Sequence, residues 1–409
     1  MHEMNKAILL FYLAILLSAV LWSPLSSAKT DDLGRVRVLF LGATAVRSIM
    51  QADPTLEVYS VPAYLYGMGS ERVRRSLRLY MPRTYAKLTG CFDVIYLCDS
   101  GAQSYAPTWL KWMADAVRVD GLGFVMSGGE ESFAGHITYP SWGDTLVGEI
   151  LPVYCFPQLP ALTSISTFFR MVVVKPDDPL MASLPFEKAP GFHIINREVS
   201  PKEASTTLAV ATLPDRNPVA VVMEVGKGRS LAFMPYLANP SPNIVPLAGW
   251  EFYVDFICNL MIYPAQAPLP SDYLKTHILR SKISGYSSLR TTVIDILSFV
   301  DAFGANTAEA DALIGVADNK MAEARALFIR KDLDESEKLI DEGFEDLKQA
   351  QTVAMKAKDR ALFWIYTVEW LAVIATTLIC GFVLWTLMVR RKLYTEVAST
   401  RLGQGDFDG

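Results

Sequence analysis

Histidine is scarce in this sequence. Four occur in 409 residues, at His2, His136, His193 and His277, and His2 falls inside an apolar leader. A multi-histidine metal centre is therefore nearly excluded. The five cysteines are Cys91, Cys98, Cys155, Cys258 and Cys380. They form no C-x-x-C and have no paired histidines, so a zinc site has no support. No metal and no cofactor is expected. A basic excess is missing too: the net charge is −5, which argues against a nucleic-acid partner, since such a protein needs a basic face. The last absence is local. Between Leu371 and Val389 there is no charged residue at all.

Those 19 uncharged residues would make a helix of about 29 Å, close to the roughly 30 Å hydrocarbon core of a bilayer. Trp364, Tyr366 and Trp370 precede the run and Trp385 lies near its far end, as aromatic belts do. A fully buried helix of a large soluble domain is the competing reading, but such a helix keeps a polar face. At the other end of the chain, residues 1–28 read as a secretory signal. Lys6 gives a positive start, Ala7 to Trp22 is almost wholly apolar, and Ser26-Ser27-Ala28 offers small residues for cleavage. An uncleaved anchor is the alternative. Either way the chain after Ala28 is translocated, and Arg390-Arg391-Lys392 holds the far end inside by the positive-inside rule. The expectation is a single-pass protein of the cell membrane. Its partner is then the membrane, with residues 29 to about 365 extracytoplasmic and the tail, 390–409, cytoplasmic. In that compartment disulfides are permitted, but their pairing does not follow from spacing.

From about 36 to 263, short apolar runs alternate with helical patterns. Val36 to Gly42, Leu56 to Tyr64, Phe92 to Cys98 and Leu122 to Met126 read as strands. Ser70 to Lys87, interrupted at Pro82, and Pro107 to Val119 read as helices. Continuous apolar strands argue a parallel sheet covered on both faces. Ligands of such sheets bind at the carboxyl ends of the strands. That places candidate ligand-binding residues at Gly42, at Asp99 and Ser100, and at Ser127, Gly128 and Gly129. Later, Gly226-Lys227-Gly228 reads as a hairpin turn between two strands, and Gly249 to Tyr263 as an apolar helix closing the domain.

Three separated motifs carry a resemblance. They are Ser127-Gly-Gly-Glu-Glu-Ser-Phe-Ala-Gly135, Asp144-Thr-Leu-Val-Gly-Glu-Ile-Leu-Pro-Val153 and Glu224-Val-Gly-Lys-Gly-Arg-Ser-Leu-Ala-Phe233. Together they resemble the glutamine amidotransferase-like family and trehalose-utilisation-like proteins. The resemblance covers roughly Val36 to Tyr263 and implies a flavodoxin-like α/β sandwich of the class I glutamine amidotransferase-like type. It does not carry the activity. A working enzyme of that class has a cysteine at a G-x-C-x-G turn and a late His-Glu pair. Here the turn reads Gly128-Gly129-Glu130-Glu131-Ser132, with Glu130 at or near the nucleophile's place, and Met234 to Pro240 stands where the pair would be.

Four residues remain candidates for chemistry. Glu130 and Glu131 are paired carboxylates at a strand-end turn, suited to acid/base work if a cleft raises one pKa; a helix cap and a solvated acid is the plainer account. Ser132 is a nucleophile only if His136 reaches it, and otherwise caps a turn. Cys98 is a thiol nucleophile or, more simply, a buried structural cysteine. Arg229, between a glycine turn and an apolar strand, binds an anionic ligand or pairs with Glu224.

Residues 264–270, with Pro264, Pro268 and Pro270, form a linker to a helical stalk over 271–365, and 366–389 is the span. Thr291 to Phe303 is a helix stopped at Gly304, and Asn306 with Glu309 is a capping box. From Glu335 an apolar stripe runs without a strong breaker into the span, making one arm of an antiparallel hairpin about 55 residues and roughly 80 Å long. Small residues at Ala350, Ala354, Ala357 and Ala361 permit close helix contact, either within the hairpin or for self-association or protein partners along the stalk. The function these features indicate is a non-catalytic, membrane-anchored module that binds a ligand or partner. The alternatives are a hydrolase on a small or carbohydrate-derived substrate, and a structural subunit of an envelope complex.

Overall fold

The computed structural model describes residues 30–135, 140–156, 162–239, 241–304 and 306–402. The signal reading at residues 1–28 and the His136 candidate lie outside the described residues. The chain divides into two compact units. One holds Met1–Ser284 with Ala322–Leu339, the other Gly285–Met321 with Ile340–Gly409.

The first unit is built on a mixed sheet. Its strands are β1 (Val36–Gly42), β2 (Leu56–Pro62), β3 (Val94–Cys98) and β4 (Gly123–Gly128), then β5 (Val153–Cys155), β6 (Leu162–Phe169), β7 (Met171–Val173) and β8 (Phe192–Asn196). They are followed by β9 (Val199–Pro201), β10 (Thr206–Ala211), β11 (Pro218–Val225) and β12 (Gly228–Tyr236). The order across the main sheet is β2-β1-β3-β4-β12-β11-β10-β7, while β5 and β9 pair separately. The five strands from β2 to β12 are mutually parallel. Beyond β12 the sheet turns antiparallel through β11, β10 and β7. This is why β3 and β4 are wholly buried continuous apolar runs, VIYLC and GFVMSG, whereas the outer β10 mixes buried and exposed positions.

The parallel half is covered by α1 (Ser70–Tyr80), α2 (Tyr85–Cys91) and α3 (Pro107–Arg118). The expected interruption at Pro82 separates α1 from α2, and Thr84 caps α2 by accepting from the Lys87 amide. Pro107 stands at the first turn of α3, where its missing N–H costs nothing. After β4 comes the short α4 (Leu146–Ile150), capped by Thr145. The unit closes with α5 (Tyr253–Ile262), buried at every position but Val254. The β11–β12 hairpin turns at Gly226, as the glycines predicted, with Val225 opposite Gly228.

The helical region is built of α6 (Tyr273–Asp301), α7 (Ala308–Ile329) and α8 (Leu333–Leu402). The segment read as a helix over Thr291 to Phe303 is the later part of α6, which begins earlier. The early turns of α6 are secured by a buried charge cluster beside the buried Leu279 and Ile283. Arg280, 2 % exposed, pairs through Nη1 with Asp255 at 2.7 Å and through Nε with Asp53 at 2.8 Å. His277 Nδ1 lies 2.7 Å from the second Asp255 oxygen.

In the second unit, Arg290 forms a forked pair with Asp318, Tyr286 donates to the same carboxylate, and Lys320 pairs with Asp346 at 2.8 Å. Ala350 and Ala354 on α8 are fully buried. Gly304 ends the α6 segment with φ +71, as a terminating glycine does. Among the described residues one helix, Leu333–Tyr394, is long and apolar enough to cross a membrane, with a mean hydropathy of 2.2 over its most apolar window, which is not buried by protein.

Candidate functional site

The carboxyl ends of β1, β3, β4 and β12 converge, because those strands are parallel and in register. Gly42 lies opposite Cys98, Cys98 opposite Ser127, and Gly128 opposite Tyr236. Gly42, Asp99, Ser100, Ser127, Gly128 and Gly129 are therefore brought to one edge, as the topology argument placed them. Arg229 is not. β12 runs parallel to β4, so Arg229, near its start, sits at the opposite edge of the sheet. There its Nε donates to Glu224 at 2.6 Å, and its guanidinium lies over the Tyr263 ring at 4.6 Å. The ligand role is replaced by an ion pair and a cation–π contact.

The glycines at this edge are required by close backbone approach. A Cβ on Gly128 would lie 1.9 Å from the Met234 carbonyl oxygen, and one on Gly129 would lie 2.3 Å from the Asp99 carboxyl. Asn196 clamps the same turn. Its Oδ1 accepts from the Gly129 amide at 2.9 Å and its Nδ2 donates to the Gly129 carbonyl at 3.1 Å.

Trp142 seals the next shell. It is fully buried, and its indole N–H is shared between the Ser100 carbonyl at 2.8 Å and the Glu131 carbonyl at 3.0 Å. Ser100 Oγ donates to the Ala63 carbonyl at 2.8 Å, so it accepts from the Tyr105 hydroxyl, also at 2.8 Å. Phe133 sits at φ +53, with its amide directed at the Met126 sulfur. The turn after β4 is thus held on all sides by its own chain.

The sequence candidates divide accordingly. Glu131 is 3 % exposed and Oε2 accepts from the Leu65 amide at 3.3 Å, so it braces the loop after β2. It does not form the acid/base pair with Glu130 that the sequence suggested, because the backbone turn sends one side chain inward and the other, Glu130, to the surface. Ser132 is buried in the turn and its amide bonds to the Gly129 carbonyl at 3.3 Å. Cys98 is fully buried among Ser127 and Tyr96, and burial pushes its thiol up to about 12. A thiol so protonated is no nucleophile at neutral pH. Ser127 Oγ is occupied by the Tyr96 hydroxyl at 3.0 Å.

Asp99 stands apart. It is 1 % exposed and adopts φ +50, in the left-handed region, at the turn leaving β3. Its Oδ1 accepts from the Glu131 amide at 2.9 Å. Burial raises its pKa to about 7, the amide bond works against the rise, and the Glu130 charge adds to it. Tyr236, half-buried, has its phenol pushed well up by burial and then by the Asp99 charge. Tyr64 and Glu130 act on it as well. The arrangement is a carboxyl near its midpoint at neutral pH, beside a second carboxylate and two phenols. It suits hydrogen bonding to a polar neutral ligand or the movement of a proton.

Sequence reasoning had Asp99 as a ligand contact and missed Tyr236 and Asn196. Tyr236 was findable as the residue in the stretch that replaces the late His-Glu pair. Asn196 was not, since it arrives from β8 across the antiparallel half.

Residues 79–264 match the model of a family described as "Putative glutamine amidotransferase". No curated protein matches the sequence. Among solved structures, a cytoplasmic protein of Salmonella typhimurium LT2 is similar at 20% identity and TM-score 0.46, over 56% of this chain and 99% of its own. A second cytoplasmic protein of Salmonella typhimurium is similar at 18% identity and TM-score 0.47, again over 56% and 99%. A ThuA-like protein of Parabacteroides merdae is similar at 9% identity and TM-score 0.41, over 58% of this chain and 92% of its own.

Proposed function

Residues 79–264 form a domain of the glutamine amidotransferase-like family, and from that premise we propose that the chain is a membrane-anchored, extracytoplasmic binding module without glutaminase activity. The observation that carries this reading is the sealed turn after β4. A glutaminase needs a thiolate there and room for a tetrahedral intermediate against backbone amides. In this chain Glu130 stands at or near that place, on a turn whose Gly128 and Gly129 pack on Met234 and Asp99 and whose backbone Trp142 braces. The one cysteine nearby, Cys98, is buried and protonated. Near the buried Asp99, Glu130 is exposed and Tyr64 and Tyr236 are half-buried, and these are the side chains a ligand would meet.

The apolar helix supports the anchor. The uncharged run Leu371–Val389 followed by three basic residues favours an orientation with the α/β domain outside and the tail within. Protein partners or self-association would engage the helical region, where α8 carries small residues. The purified full chain should release no ammonia from glutamine. Stoichiometric partners that co-purify with the full chain and are lost when residues 271–365 are removed would assign it to an envelope complex. Measurable glutamine hydrolysis abolished by Cys98→Ser would overturn the reading.

Asp99 favours a second reading. A carboxyl with a pKa about 7 is matched to general acid/base work at neutral pH, and with Glu130 it would serve a hydrolase acting on a small or carbohydrate-derived substrate. Turnover of any substrate from an ester and glycoside panel, lost in both Asp99→Asn and Glu130→Gln, would establish it.

A further inference from the structure

In the second unit, the apex where α6 ends meets α8 just before the uncharged run. Phe303 and Gly304 line a groove of about 530 Å³ with Arg360, Ala361, Trp364, Ile365, Val368 and Glu369. The apex exposes two adjoining aromatic rings, Phe299 and Phe303, tilted at 60° with centroids 5.0 Å apart. They are 42 % and 51 % exposed, and Trp364 opposite is 62 % exposed. A soluble surface gains nothing from three such rings together.

Their height can be worked out. Counting at 1.5 Å per residue from Trp370, the residue just before the uncharged run, Val368 stands about 3 Å and Trp364 about 9 Å outside the hydrocarbon edge. The headgroup layer is about 5–8 Å thick on each side of a bilayer. Phe303, which shares the groove with both, falls at that level. Arg360, about 15 Å out, tops the groove on the water side of that layer. The exposed rings and the depth match one occupant, the lipid headgroup layer.

We propose that the apex Phe299–Gly304 is a second membrane contact, with its phenylalanines seated in the outer headgroup layer beside the span. This rests on the reading of α8 as a membrane span. It adds that α6 and α7 do not stand clear of the bilayer but rest on it. Aromatic rings favour that layer because it accepts their flat apolar faces without a full loss of polar surroundings.

The test uses the full chain in phosphatidylcholine vesicles. Cys91, Cys155 and Cys380 are replaced by serine, and the fully buried Cys98 and Cys258 are kept. A nitroxide is then placed by Phe303→Cys, and separately by Phe299→Cys, Ile374→Cys and Leu33→Cys. Collision with oxygen, enriched in lipid, is compared with collision with a water-soluble nickel chelate. The proposal expects positions 303 and 299 to show nickel accessibility at least threefold below that of position 33, and oxygen accessibility approaching that of position 374. Nickel accessibility equal to position 33, with position 374 still in lipid, overturns the proposal and leaves the span intact. Shielding from both reagents means that a protein surface covers the apex, which also overturns it. If position 374 itself is in water, the span reading fails, and the proposal with it.

Discussion

Asp99 gives the sharpest test of the site, because its pKa has a stability consequence of calculable sign. The buried carboxyl has a pKa of about 7, against 3.8 in the unfolded chain. Between those values the folded state holds a proton that the unfolded state has released. Folding is therefore favoured at the acid end of that window and loses stability as pH rises towards 7. From pH 5 to pH 8 the loss is about 3 kcal/mol, from two pH units below the folded pKa at 1.36 kcal/mol each. For a domain of this size that is about 6–12 °C in Tm. The perturbation is Asp99→Asn, which keeps an oxygen to accept the Glu131 amide and removes the titration. Other groups titrate across the range, so the measured quantity is the difference in Tm between wild type and variant, followed from pH 5 to pH 8 in one detergent. The variant should gain on the wild type steadily through the window. A difference that stays flat would show that Asp99 ionises normally, and the near-neutral carboxyl on which both functional readings draw would be gone.

Three further outcomes follow from the same edge. Trp142→Phe keeps the ring but leaves the Ser100 and Glu131 carbonyls without their shared donor; thermal or denaturant melts should show a loss of about 1–3 kcal/mol. Gly128→Ala puts a Cβ 1.9 Å from backbone that cannot move independently of β12; the loss should exceed about 4 kcal/mol, seen as failure to accumulate folded protein. In the native protein at pH 8 a maleimide should modify Cys91, which is exposed, and leave Cys98 untouched until denaturant is added.

The sheet was legible because burial on both faces writes itself into sequence as apolar runs, uninterrupted in the buried VIYLC of β3 and broken in β1 only by Arg37. The convergence of Gly42, Asp99 and Gly128 then followed from parallel strands and the rule that ligands sit at their carboxyl ends. What stayed hidden depends on long-range pairing. Arg229 looked like a ligand contact until the direction of β12 placed it at the other edge. Asn196 reaches the Gly129 turn across 67 residues, and no local pattern announces that. Glu130 and Glu131 are equivalent in sequence, and only the turn's geometry separates a surface acid from a buried brace. The first turns of α6 are fixed by Arg280 between Asp53 and Asp255, a polar anchor that a hydrophobic periodicity cannot register.

The side of the membrane on which the α/β domain lies is directly measurable. Cys91, native and exposed, provides the probe, with Tyr394→Cys as the reporter for the tail. In intact cells given a membrane-impermeant maleimide, Cys91 should be labelled to completion, and a cysteine at position 394 only after the membrane is permeabilised. Labelling of Cys91 that requires permeabilisation would place the domain in the cytoplasm and contradict the account.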